Sequence, residues 1–316
     1  MPGQPSLRDV HVSVPLTQIS VAYMQDESVY VADKVFPMIP VQNQSDVYYK
    51  YTKSDFFRDE ARKRAPGTES AGGGFTLSTG TYAAEIYAFH QDVPDPVRAN
   101  ADSILQLDRA ATQLVTNRLL IRRERLWASS FFTTGVWGTD TTPSALWDNA
   151  SSNPLADVEV GRLAVQKKTG YIPNTLVLSP EVVSKLRDNA KIRDQFKYTS
   201  ADSIDLAMMA RYFNIERVLV VNAVYDASPE GAASDGMTFV VGKHGLLCYV
   251  PPSASVMQPA AGYTFGWNGY LGAGLGTRIG KFRMEQLKSD RIEGEMAMDM
   301  RAICPDVGYF FNGLVA

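Results

Sequence analysis

The chain has 316 residues, 45% hydrophobic and 10% aromatic, ample material for a core, which excludes disorder, collagen and small disulfide scaffolds. Thirty-one Lys plus Arg stand against 34 Asp plus Glu, a net charge of -3, so the chain as a whole is not an electrostatic nucleic-acid binder of the repressor or histone kind. Two cysteines, Cys248 and Cys304, and three scattered histidines, His11, His90 and His244, give neither a disulfide framework nor the paired spacing of a metal knuckle or metalloprotease helix.

In chain order, residues 1–46 read as extended. Pro2, Pro5, Pro15, Pro37 and Pro40 break any helix, while Val21–Tyr23 and Val29–Phe36 need a surface to pack on. A leader of short strands and an arm wrapped over another surface are equal readings. The first residues lack the basic and apolar regions of a signal peptide, and no run of about 18 apolar residues suggests a membrane span. Val47–Thr52 reads as a strand, with Thr81–Phe89 as its antiparallel partner.

The 28 residues between them have little apolar periodicity, and loops this long are usually functional or disordered. Arg58, Arg62, Lys63 and Arg64 stand beside Asp55, Asp59, Glu60 and Glu69, with Phe56 and Phe57 among them. Mixed charge around an aromatic pair suits a surface that docks on a neighbour of complementary charge; a solvated loop is the plain alternative. Gly72–Gly74 has no GK[ST] after it and is not a phosphate loop.

After a turn region at Pro94–Asn100, residues 102–132 form the longest expected helix, roughly 45 Å. Asp102 is its cap, and Ile104, Leu107, Ala111, Leu114, Val115 and Leu119 recur at helical spacing. A helix nearly as long as a compact body is wide implies a flattened or elongated molecule. The run Arg122, Arg123, Glu124, Arg125 is a solvated face on the plain reading and an inter-subunit or phosphate contact on the other.

Beyond a Gly, Thr and Pro-rich loop, a helix is expected at Leu155–Thr169, a strand at Thr175–Ser179, and a helix opening at Ser179-Pro180-Glu181. A helix at about Ile204–Phe213 stops at Asn214, and strands follow at Arg217–Val224 and within 237–251. Alternating helices and apolar strands imply a sheet covered on both faces. At the C-terminal end Ile292, Met296, Met298, Met300, Ala302 and Cys304 share one strand face and Glu293, Glu295, Asp299 and Arg301 the other. The segment before it joins through Lys288–Asp290 as a hairpin, and the methionine stripe is expected to pack on the long helix rather than serve as a partner groove.

No catalytic set emerges. Gly272, Gly274 and Gly276 follow a loop-like FGWNGY and precede a strand, the wrong context for a dinucleotide site. Ser179 is not in a nucleophile elbow, and Asp202, Asp205 and Asp306 lack a partner histidine or metal set.

The runs ADKVFP, FFRDEARKRAPG and RRERLWA, with the order arm, two-stranded loop, long helix, α/β region and terminal β-hairpin, resemble the major capsid proteins of tailed double-stranded DNA bacteriophages over nearly the whole chain. The resemblance implies the Hong Kong ninety-seven type fold, an α+β architecture. Its parts would be an N-terminal arm (1–46), an E-loop hairpin (47–90), a P-domain with spine helix (91–172), an A-domain (173–277) and a return to the P-domain in a terminal β-hairpin (278–316). It implies a structural protein, not an enzyme, without cofactor or metal, that forms hexamers and pentamers of an icosahedral shell in the host cytoplasm and resides in the virion. Expected partners are other copies of the chain, a portal protein, a separate scaffolding protein or none, a decoration protein, and packaged DNA in weak contact. Candidate inter-subunit residues are Phe56, Phe57, Arg58, Asp59, Glu60, Arg62, Lys63, Arg64, Arg122, Arg123 and Arg125. The alternatives are an encapsulin-like cargo shell and a soluble α/β enzyme.

Overall fold

The computed structural model describes residues 25–101, 106–196, 205–229, 231–232, 234–253, 258–271 and 277–316. Pro2, Pro5, Pro15, His11, Val21–Tyr23, Asp102, Ile104, Asp202 and the glycines at 272, 274 and 276 lie outside the described residues.

Two five-stranded sheets organise the chain. In the first, Met38–Val41 runs parallel to Gly262–Trp267, which pairs antiparallel with the 14-residue strand Ser289–Ala302. That strand also takes Thr277–Met284 and Glu85–Pro94, both antiparallel. The hairpin turns at Lys288, whose φ of 43° is left-handed. Ile292, Met296 and Met298 pack against Ala111, Val115 and Leu119 of the long helix, Leu107–Phe131, so the methionine stripe is core. Gly294 lets the two meet: a Cβ there would stand 2.5 Å from Val115 and 2.8 Å from Leu119.

The second sheet has the order Thr139–Thr141, Gly308–Phe311, Gly245–Cys248, Thr175–Leu178, Arg217–Val220. Its three central strands are buried throughout, and alternate residues enter different cores. Val177, Leu246 and Phe310 join one cluster, while Leu176, Leu178, Leu247, Tyr309 and Phe311 join another, so both faces are covered as expected. The stretch 278–316 is therefore shared between the two sheets. Around the second sheet lie the helices Pro154–Thr169, Pro180–Asp188, capped by Ser179 Oγ, and Leu206–Tyr212, capped by Asp205, with Asn214 at φ 52° beyond it.

The long helix belongs to both cores. Its first half buries Ala111, Val115 and Leu119 on the first sheet, and its second half buries Trp127, Ala128 and Phe131, with Phe132 just beyond its end, around Phe36 and Phe310. At 100° per residue these two stripes point to different sides, and the apolar period expected from the first half does not continue into the second.

Four other expectations change. Thr81–Phe89 is not one strand: Leu77–Ala83 pairs with Ser45–Tyr51, and after Ala84 the chain enters the first sheet as Glu85–Pro94. Pro94–Asn100 is a helix over Asp95–Asn100, and FGW ends a buried strand rather than a loop. Arg217–Val224 divides into Arg217–Val220 and Val224–Asp226. Near the turn at Lys288, Arg98, Lys281 and Arg283 interlock with Asp95, Asp108 and Asp290, and Arg98 followed by Lys281 holds the Asp290 carboxyl at about 2. This lattice fixes the helix start to the strand hairpin.

Candidate functional site: the projecting hairpin

Directly paired residues in a ladder share a face, so Phe265 and its partner Asp299 point the same way, opposite to the Met298 side that meets the long helix. The projecting hairpin is mounted on this face. Tyr82 and Tyr48 stack on Phe265 at 4.5 and 5.6 Å, and the Ala83 N–H donates to the Asp299 carboxylate at 2.8 Å. The first sheet thus separates the hairpin from the helix.

Along the hairpin, Tyr49 is 66% exposed, and Val47, Leu77 and Phe57 are each at least half exposed. Beyond the ladder, Tyr51, Phe56 and Phe75 form a ring cluster with centroids 5.6 to 6.1 Å apart, in which Phe56 is 52% and Phe75 61% exposed. The loop neck is closed by Asp55, which accepts from the Thr76 N–H at 2.8 Å and from Thr76 Oγ1 at 2.7 Å; these bonds hold its carboxyl below the usual range. Exposed apolar side chains grouped in this way are of the kind that interaction surfaces carry.

The charged tip is loosely paired. Arg58 approaches Asp55 at 3.8 Å and Glu60 at 3.6 Å, contacts worth about 0–1 kcal/mol at this exposure. Arg64 Nε donates to the Thr68 carbonyl. Among the described residues, Arg62, Lys63 and Arg64 have no carboxylate within ion-pair distance, so the tip retains cationic groups for a partner. Beyond its mounting on Phe265 and Asp299, the hairpin meets its own body at two further points: Lys53 Nζ lies 2.5 Å from Asp306 Oδ2, and the Phe57 ring lies 3.6 Å from where a Cβ on Gly170 would stand. Lys53, Phe75 and the tyrosine ladder were not singled out from sequence. Their signal was the alternation Val47, Tyr49, Tyr51, which puts large apolar side chains on one strand face.

The helix candidates are placed differently from the loop candidates. Arg122 lies over the Tyr87 ring at 5.1 Å and Arg125 over Tyr225 at 4.1 Å. Arg123 is buried, 2.8 Å from Asp33, and Glu124 is fully buried. The Val31 N–H donates to Glu124 Oε1 at 2.9 Å and the Ala32 N–H to Oε2 at 3.1 Å, while burial pushes the carboxyl up. Two carboxylate oxygens thus serve the orphan amides that open the short helix Ala32–Val35. Half of the charge run is an internal clamp on the arm, which a solvated helix face would not be.

The remaining reactive side chains have structural tasks. Burial raises Cys248 to about 12, which keeps its thiol protonated, and His244 Nδ1 accepts from the Gly313 N–H. Among the described residues there is no group of three or more His, Cys, Asp or Glu placed to hold a metal, and no helix long and apolar enough to cross a membrane.

The chain is 23% identical over 316 residues to the major capsid protein of Burkholderia phage BcepMu, with 95% of each covered. It is 25% identical over 311 residues to the major capsid protein of Pseudomonas phage JBD67, covering 95% of this chain and 96% of that one. Among solved structures, a phage-related protein from Bordetella bronchiseptica RB50 superposes with a TM-score of 0.70 at 22% identity, covering 92% of this chain and 94% of that one. The mature capsid of bacteriophage PhiM1 gives 0.60 at 13% identity, with 96% and 92% covered. An encapsulin from Synechococcus elongatus gives 0.53 at 10%, with 97% of each covered. No protein-family model matches the chain.

Proposed function

We infer that this chain is a major capsid protein of the tailed-phage type, a structural protein and not an enzyme, whose copies build the virion shell around packaged double-stranded DNA. The observation that carries the reading is the projecting hairpin, an exposed aromatic strip with an incompletely paired charged tip, on a chain that matches two major capsid proteins over nearly its whole length. The encapsulin shares the fold, so the fold alone does not separate the two shells; the curated relatives favour the phage capsid.

In this reading the hairpin lies over a neighbouring copy. Val47, Tyr49 and Phe75 supply apolar contact and Arg58, Arg62, Lys63 and Arg64 meet that copy's carboxylates, which fixes register more than affinity. Arg122 and Arg125, held on tyrosine rings, are secondary contact candidates. The buried Arg123 serves the arm. Hexamers and pentamers, a portal, a separate scaffolding protein and a decoration protein complete the proposed assembly, and a near-neutral chain suits a wall that touches DNA weakly. Portal and terminase genes beside its own would support this reading, and a cargo-enzyme gene there would support the encapsulin.

Reversing Arg58 and Arg62 to Glu tests the charged tip. Both side chains are on the exposed loop, so the subunit should fold with an unchanged far-UV spectrum while shells are lost or misshapen in negative-stain images. Normal particles from this variant would remove the charged tip from the account.

A further inference from the structure

We propose that the place where the hairpin touches its own body, Asp306 beside Gly170, is the acceptor that a neighbouring copy's hairpin takes in the shell, so that assembly exchanges an intrachain contact for the same contact between chains. This rests on the shell reading above and adds to it the identity of the acceptor. The acceptor is built to be firm. Gly170 ends the helix Pro154–Thr169 in a left-handed conformation at φ 74°. Asp306 sits in the turn Pro305–Val307, which leads into the buried strand Gly308–Phe311, and the Pro305 carbonyl accepts from the Gly138 N–H at 2.9 Å.

The hairpin's hold on this place is weak by comparison. The Lys53 and Asp306 side chains keep 47% and 35% of their exposure, and Phe57 remains 64% exposed. Within one chain the contact also leaves the strip of Val47, Tyr49, Phe56 and Phe75 uncovered. An arrangement that keeps this pair and also covers the apolar face gains the burial of that strip over the closed state, which offsets the cost of association. A second copy offers that arrangement, because it carries the same Asp306 and Gly170 together with a surface of its own to lay against the strip. The base stays mounted through Tyr48, Tyr82 and Ala83, so the part free to swing runs from Tyr49 to Lys53, about 13 Å of extended chain, and a turn there carries Lys53 across up to about 26 Å, toward a copy lying against the hairpin. Exchange of an identical element between identical chains needs no new interface chemistry.

Charge exchange in two chains tests this. Lys53→Asp and Asp306→Lys, each alone, set like charges together and should lower shell yield about tenfold while leaving the subunit folded. Mixed in equal amounts, each variant's hairpin fits only the other's acceptor, so rings of six can alternate fully and rings of five carry one like-charged contact; shell yield should rise above that of either variant alone, with both variants in each particle by mass spectrometry. Shells from each variant alone at the unaltered level, or no gain on mixing while the double variant in one chain assembles, would overturn the exchange and leave the shell reading intact. Failure of the double variant as well would show that the pair does not act through charge and would overturn the proposal too. An unaltered chain that forms no shells under the same conditions would instead overturn the reading on which it rests.

Discussion

Serine at Tyr49, Phe56 and Phe75 together should give a folded subunit that forms no shells. None of the three contributes to a core: they are 66%, 52% and 61% exposed, and the ring contacts of Phe56 and Phe75 are to each other and to Tyr51 on the hairpin. Exposed substitutions of this kind usually change stability by about 0.5 kcal/mol or less each. Their effect on assembly is of another order. Covering half of each ring, about 80–100 Å², at about 25 cal/mol per Å² gives about 2 kcal/mol per residue and about 6 kcal/mol per hairpin. Every subunit would give one such contact and receive one, so the loss recurs around each ring of the shell. Circular dichroism checks the fold and sedimentation velocity the assembly. Full-sized particles from the triple variant would show that the exposed strip is not an interface.

Glu124→Ala should be the most damaging single change to the subunit itself. It removes the acceptors of the Val31 and Ala32 amides, both in the interior beside the 0% exposed Ala32 and Val35. Two buried donors left without partners cost about 1–3 kcal/mol each, partly offset because a carboxylate no longer has to be desolvated. A net loss of about 3 kcal/mol follows, read as a lower urea midpoint with little change in slope. Glu124→Gln keeps one acceptor oxygen but turns an amide toward the second donor, so it should fall between the two. The segment from Val31 to Phe36 should also become sensitive to protease in the alanine variant. A midpoint unchanged within error would mean that the arm is held by Phe36 packing alone.

Much of this molecule could be read locally, and the exceptions share a cause. Period two in Ile292, Met296 and Met298, the Ser179 cap with Pro180, and Asn214 as a helix stop all depend on nearest neighbours along the chain, and the structure has each of them. The missed break at Ala84 has no local mark. Aromatic and β-branched residues stand on both sides of it, Ala83, Ala84 and Glu85 between them include neither Gly nor Pro, and the bond from the Ala84 N–H to the Gln44 carbonyl, 40 positions earlier, shows where one ladder ends. FGWNGY reads as loop-like, yet its first three residues end the buried strand Gly262–Trp267, whose first glycine is where the Phe36 ring and the Arg301 carbonyl come too close for a Cβ. The charge run on the long helix reads as solvated because isolated charges avoid interiors; Glu124 is inside because its partners are 92 and 93 residues earlier. Lys53 and Asp306, 253 apart, are the extreme case of a contact that sequence order conceals.

The central claim, that copies of this chain close into a shell, is tested most directly by imaging. The full chain, expressed with the phage proteins encoded beside it, should sediment as large particles that negative-stain microscopy shows as uniform icosahedra with five-fold and six-fold clusters. A chain that remains a stable monomer in that company, with no particles at any concentration or salt, would contradict the account.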